Sequence, residues 1–242
     1  MKIIVKMFLL LLSQLLIFSN IKAEFSTLFE QIQYYQNRYK VQCVEDKITD
    51  NYGNGFDSLY GTRNMRTILY GIAYRGGANN YYHKINKREN QNPLPGDGLE
   101  NLCKEGFSDA VYLYAKNFSS AAKETIVGNN KLEYWQISGN SSEEIRRIIE
   151  MVYEVITRKR RGPIYFHCWN GWHQSGYIAA AILKQFCGYS DEQALDYWVR
   201  NTDGASRGYE QIKKRIIEFK PFAEYEISKD LQKVICPCSN AK

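Results

Sequence analysis

The chain has 242 residues, 44% hydrophobic and 14% aromatic with 19 tyrosines, a composition that excludes a disordered polyampholyte and suffices for one sizeable core. Its formal net charge of +6 includes Lys2, Lys6 and Lys22 near the start. The remainder is only mildly basic: too little for a nucleic-acid binder relying on bulk charge, enough to favour anionic ligands by weak steering.

Lys2 and Lys6 precede an almost wholly apolar run over residues 7–18, and small Ala23 follows. The run is shorter than the roughly 20 residues that span a bilayer, so residues 1–23 read as a cleaved signal peptide, with an uncleaved anchor as the alternative. The body is then secreted or periplasmic, with no stable membrane insertion after cleavage. Asn117-Phe118-Ser119 and Asn140-Ser141-Ser142 are sequons that matter only in a eukaryotic secretory route.

Residues 25–39 suggest an amphipathic helix packed outside the core, and residues 46–62, rich in Asn, Gly and Asp, a loop. Residues 67–74 are β-prone and run into Gly76-Gly77, a strand and then a turn. The polar stretch 79–98 predicts an exposed loop, and 99–105 a helical turn closed by Gly106. Strands are expected over 110–115 and 132–137. Ser141 and Glu144 form a capping box ahead of Ile145, Ile148, Ile149, Val152, Val155 and Ile156, which recur on one helical face. The basic run from Arg158 to Arg161 suits the negative end of that helix, and Gly162-Pro163 stops it. A short strand over 164–167, an alanine-rich helix over 175–187 closed by Gly188, and a helix capped by Ser190 and Gln193 complete the pattern. Strands alternating with helices predict an α/β fold: a three-layer sandwich with a mainly parallel central sheet flanked by helices. The expected organisation is an N-terminal extension over 24–66, one domain over 67–220, and a tail over 221–242 packed on it, the whole a monomer.

Cys43, Cys103, Cys168, Cys187, Cys236 and Cys238 all follow the leader, and an even count in an oxidising compartment points to disulfides. If Cys168 is free, at least one other thiol is free as well. Cys236 and Cys238 are placed to hold the tail, with Cys43 as one partner; the pairing is otherwise open. The histidines are not spaced for zinc, so no metal or cofactor is expected.

His167-Cys168-Trp169-Asn170-Gly171-Trp172-His173-Gln174-Ser175-Gly176 joins an apolar strand to an alanine-rich helix. The amides of such a turn and of the helix's first turn make an anion site, and a thiolate at its start is stabilised by the same field. The stretch resembles the signature loop of the protein tyrosine and dual-specificity phosphatase superfamily, which reads His-Cys, five residues, Arg, Ser or Thr. His167, Cys168, Gly171 and Ser175 match it. The likeness extends over residues 69–217: Leu69-Tyr70-Gly71-Ile72-Ala73-Tyr74-Arg75-Gly76-Gly77 resembles the family's first strand, and Gly98-Leu99-Glu100-Asn101-Leu102 with Gly106-Phe107 its next helix and turn. The resemblance implies a dual-specificity-phosphatase-like fold and metal-free hydrolysis of a phosphomonoester, with Cys168 as nucleophile and Ser175 stabilising the departing thiolate.

Two departures stand out. Gln174 occupies the arginine's place, and residues 138–142 contain no aspartate where the family offers a general acid. The loop 201–208 offers substitutes: Asp203 as candidate proton donor and Arg207 as candidate charge, with His173 and Arg75 as further sources of charge. Trp169 and Trp172 either stack on a flat substrate or plug the wall beneath it, the plug being favoured. Three readings follow: an atypical phosphatase, a pseudophosphatase that binds a phosphorylated or otherwise anionic ligand without turnover, and, last, thiol redox chemistry at Cys168.

Overall fold

The computed structural model describes residues 25–79 and 93–238. The leader read over 1–23 and most of the loop read over 79–98 lie outside them. Helix α1 (Leu28–Tyr39) starts at a Thr27–Glu30 capping box. Strand β1 (Thr62–Leu69) turns back through Gly71 into β2 (Ala73–Ala78). Then come α2 (Gly96–Lys104), β3 (Asp109–Tyr112), β4 (Glu124–Val127), β5 (Asn130–Gln136), α3 (Ser142–Ile156), β6 (Ile164–Cys168), α4 (Gln174–Cys187), α5 (Asp191–Arg200), α6 (Glu210–Glu218) and α7 (Lys229–Ile235).

The strands form one sheet in the order β1-β2-β6-β3-β5-β4. β2, β6, β3 and β5 run parallel, while β1 and β4 are antiparallel edges. Alternation along β6 divides the core: Ile164 and Phe166 face a layer built from α3, α4, α5 and α6, whereas Tyr165 faces α1 and α2. The three-layer α/β sandwich is therefore observed.

Several local readings change. Helix α1 is part of the core, because Ile32 and Tyr35 are buried and its backbone at Ile32 lies against the Gly71 turn. The first strand begins at residue 62, so a boundary at 67 falls inside it. Its Arg63, Asn64 and Arg66 are buried, and a bulge with Asn64 at φ 49° interrupts the register, so neither composition nor alternation marks it as a strand. Gly76 and Gly77 are in β2 rather than in a turn. Both expected caps are present, at Ser141–Glu144 and Ser190–Gln193, because capping is a local interaction.

Cys187 is bonded to Cys236 and Cys43 to Cys238, leaving Cys103 and Cys168 as free thiols. Helix α7 is thereby tied to the end of α4, and the Ile235 carbonyl accepts from the Tyr70 amide at 2.9 Å. Among the described residues no helix is long and apolar enough to cross a membrane.

Candidate functional site

Strands β2, β6, β3 and β5 present their C-terminal ends on one edge of the sheet, where an open α/β sheet forms its crevice. Strand β6 ends there at Cys168, and α4 begins at Gln174. The linking turn lies directly on β2: the Ala78 amide donates to Trp169 O at 3.1 Å. A Cβ on Gly77 would stand 2.5 Å from the Asn170 carbonyl carbon, and one on Gly171, whose φ is +78°, would stand 2.7 Å from Gly76. Side chains at these positions would prevent two backbones from touching, which is the reason for the glycines.

Arg75 from β2 lies beneath the turn with no exposure. Its Nη1 donates to Gly171 O at 3.0 Å and Trp172 O at 3.3 Å, and its Nη2 to Asn201 O at 3.2 Å. It meets no carboxylate among the described residues, and its buried Nε has no partner. Because a trans peptide places C=O and N–H on opposite sides, the amides of Trp172 and His173 point away from Arg75. They join the open amides at the first turn of α4, where the helix dipole is positive. Gly176 leaves the space Arg75 needs, since a Cβ there would lie 3.1 Å from Nη1 and 2.9 Å from Trp198.

The Cys168 sulfur is 3.3 Å from Ser175 Oγ, and both residues are buried. His167 faces the other side of the sheet, stacked among Tyr112, Tyr134 and Tyr165. Its Nε2 is 2.7 Å from the Tyr134 hydroxyl and its Nδ1 is 3.2 Å from Cys168 O. Complete burial pushes its pKa down to about 3, so the ring is neutral and acts as a fixed prop behind the cysteine.

Of the two indoles, Trp169 packs against Tyr114 and donates to the Tyr112 hydroxyl at 3.2 Å. Trp172 instead reaches Asp203, donating to Oδ2 at 3.2 Å. Asn170 O accepts from Asn64 Nδ2 at 2.7 Å.

Of the side chains expected to supply the missing charge and acid, His173 and Asp203 are engaged by neighbours. His173 Nε2 is 2.7 Å from Ala205 O, and the ring stacks on Tyr209; burial lowers its pKa against the pull of that carbonyl, so it supplies no cation. Asp203 is ion-paired with Lys47 at 2.7 Å and Arg66 at 3.5 Å. Burial raises its pKa, but Lys47, Arg66 and the Trp172 indole together hold it below the usual carboxylate value. Those partners favour its ionised form. Arg207 is exposed and has no ion pair among the described residues. Gln174 does not face the turn's anion side with a free amide: its Nε2 donates to Ser138 O at 2.6 Å and Asn140 Oδ1 at 3.1 Å.

Three further residues, Arg215, Tyr114 and Asn140, lie near the site without a role there being legible in the sequence. Arg215 from α6 bonds the same Asn140 Oδ1 and lies over the Tyr177 ring at 5.0 Å. The Tyr114 ring packs on Trp169, and its phenol pKa is raised chiefly by burial and then by Cys168, with Arg215 opposing. Asn140 sits on the loop after β5, where the sequence shows a sequon and no aspartate. Outside this edge, Cys43, Glu45 and Cys238 come together, but both sulfurs are spent in their disulfide.

No family model matches the sequence, and no curated protein matches it. Among solved structures, the chain is similar to a mutant form of Tk-PTP (17% identity, TM-score 0.42, covering 61% of this chain and 91% of that one). It is also similar to the PTP-2 phosphatase of Cydia pomonella (11%, 0.41, 60% and 84%) and to the Siw14 catalytic core (14%, 0.43, 71% and 89%). Likeness this distant leaves the chemistry to the site's own geometry.

Proposed function

We propose that residues 168–176 bind the phosphoryl group of a phosphomonoester and that Cys168 is the nucleophile of a slow, cysteine-dependent phosphatase. The observation that carries this reading is the Cys168 sulfur, held 3.3 Å from Ser175 Oγ at the head of α4 while Cys43, Cys187, Cys236 and Cys238 are oxidised. A thiol left free beside a hydroxyl and a set of open amides is arranged for attack on an anion, not for packing alone.

In the first step the thiolate forms an S–P bond as the P–O bond to the leaving group breaks. Water then attacks phosphorus, the S–P bond breaks, and the thiolate departs toward the Ser175 hydroxyl. Positive charge comes from two directions. Arg75 polarises the peptides of Gly171 and Trp172 from below, a positioning role, and Arg215 stands at the rim. Neither replaces a guanidinium held directly on the phosphoryl oxygens, and loss of one well-aimed donor typically lowers rate by ~10²–10³. With Asp203 ion-paired, the leaving oxygen departs without a built-in acid. Aryl phosphates, which leave readily as anions, are therefore the preferred substrates.

A second reading, binding without turnover, is favoured by one observation: the Gln174 amide is committed to Ser138 and Asn140. Steady-state assays with p-nitrophenyl phosphate and an alkyl phosphate separate the two. Turnover is expected with the aryl ester, at least ten-fold slower with the alkyl ester, and abolished in Cys168→Ser. Orthovanadate binding by both proteins with no turnover by either selects the binder. No oxyanion binding by either rejects both.

The same reading places the protein outside the cytoplasm, as a monomer that recognises a phosphorylated or otherwise anionic ligand and not nucleic acid. The two disulfides and the apolar leader support export.

A further inference from the structure

The basic run after α3 is not absorbed by the site above. It lies at the opposite edge of the sheet, since β6 leaves it at Ile164 and reaches Cys168 only after about 13 Å of strand. There Arg158, Lys159, Arg160 and Arg161 line a cavity of about 170 Å³ together with Phe25, Gln31 and Gly162. That is nearly six times the liquid volume of one water, roughly 30 Å³, room for a tetrahedral dianion.

Among the described residues the cations of this cavity outnumber the carboxylates paired with them. Arg160 is neutralised by Asp109 at 2.9 Å and Glu154 at 2.8 Å. Among the described residues Arg158 hydrogen-bonds neutral oxygens, Gln31 Oε1 at 2.9 Å and Phe25 O, with the Glu30 carboxylate acting on it from farther away. Lys159 and Arg161 meet no carboxylate among the described residues. The carbonyl end of α3 contributes roughly half a negative charge, against three cations that form no close ion pair among the described residues. Stabilising the helix end therefore accounts for one of them at most.

The walls are also fixed in advance. Arg158 sits at φ +62°, which turns the chain sharply off the helix. Gln31 is 2% exposed and is locked by its amide donating to Gly71 O at 2.6 Å. A Cβ on Gly162 would stand 3.1 Å from Gln31 Nε2 and 2.5 Å from Val155, so the glycine keeps this corner clear.

We propose that this cavity is a second anion site, taking a phosphate or sulfate ester group through Arg158, Lys159 and Arg161. Guanidinium forks suit the paired oxygens of such a group. The site is independent of Cys168 and survives even if the loop proves inert.

The test uses the Cys168→Ser protein, to prevent turnover, and amide NMR at low salt. Inorganic pyrophosphate and a sulfated oligosaccharide are titrated separately, to distinguish a small free oxyanion from a sulfate ester carried on a polymer. Saturable shifts are expected at Gln31 and residues 158–162 with at least one probe, weakened ten-fold or more in Lys159→Glu/Arg161→Glu. The neutral pair Lys159→Gln/Arg161→Gln, checked for an unchanged melting curve, should lose affinity to a lesser extent, and both variants should keep the activity of the parent loop when made with Cys168 intact. Shifts that never saturate with either probe, or affinities untouched by both variants, overturn the proposal.

Discussion

His167 illustrates how a single side chain sets a pH limit on the fold. Its ring is enclosed by tyrosines with a pKa near 3, whereas an unfolded histidine titrates near 6.5. Above pH 6.5 both states carry a neutral ring and no proton difference exists. As pH falls from 6.5 toward 3, the unfolded chain takes up a proton that the folded chain refuses, and stability is lost by up to about 5 kcal/mol. Thermal unfolding across pH 7 to 4 should therefore show a steeper decline for the wild type than for His167→Gln, the difference amounting to one proton. Gln174 follows a similar logic of surroundings. It shares the Asn140 oxygen with Arg215, so an arginine at 174 would face a like charge across one acceptor. The neutral residue at this position fits the neighbours it has.

Among the elements, the turn after β6 depends on glycine meeting glycine. Gly171 combines a left-handed φ with a Cβ position 2.7 Å from the Gly76 carbonyl carbon and the Gly77 amide nitrogen, and backbone cannot swing aside as a flexible side chain can. Gly171→Ala should cost roughly 1–3 kcal/mol from overpacking, with additional strain from the positive φ. Urea unfolding would measure the loss, and oxyanion binding should fall with it because the Arg75 bonds to Gly171 O and Trp172 O are the first contacts displaced. A melting curve and an affinity both equal to wild type would show that the turn yields more easily than its contacts indicate. Legibility at this scale was uneven. The caps of α3 and α5 were readable because each lies within four residues. The hairpin of β1 and β2 was not, because its first strand buries Arg63, Asn64 and Arg66 and so lacks the alternation that marks a strand.

For the molecule as a whole, the disulfides join distant parts of the chain, with sequence separations of 49 for Cys187–Cys236 and 195 for Cys43–Cys238. Closing long loops removes unfolded-state entropy, and loss of a native disulfide typically costs about 2–5 kcal/mol. Cys187→Ser/Cys236→Ser should therefore lower the thermal midpoint and release α7 from the end of α4, visible as faster amide exchange over 229–235. Reductant should do the same to the wild type. Insensitivity of the midpoint to both treatments would place the stability of the tail in its apolar contacts, Ile235 foremost.

Read without coordinates, the chain already determined its local devices: helix caps, Gly188 at the end of α4, and the order strand, cysteine turn, helix around Cys168, whereas α3 ends at Ile156, ahead of the expected Gly162 stop. These depend on residues a few positions apart, whose energies are settled within one or two turns of backbone. Tertiary structure alone decided which arginine lies under the turn, that Asp203 is bound by Lys47 and Arg66, that Gln174 is held by Ser138 and Asn140, and which cysteines pair. Each of those contacts joins segments tens of residues apart, and a buried charge or amide takes whichever partner the packing of the sheet brings within reach.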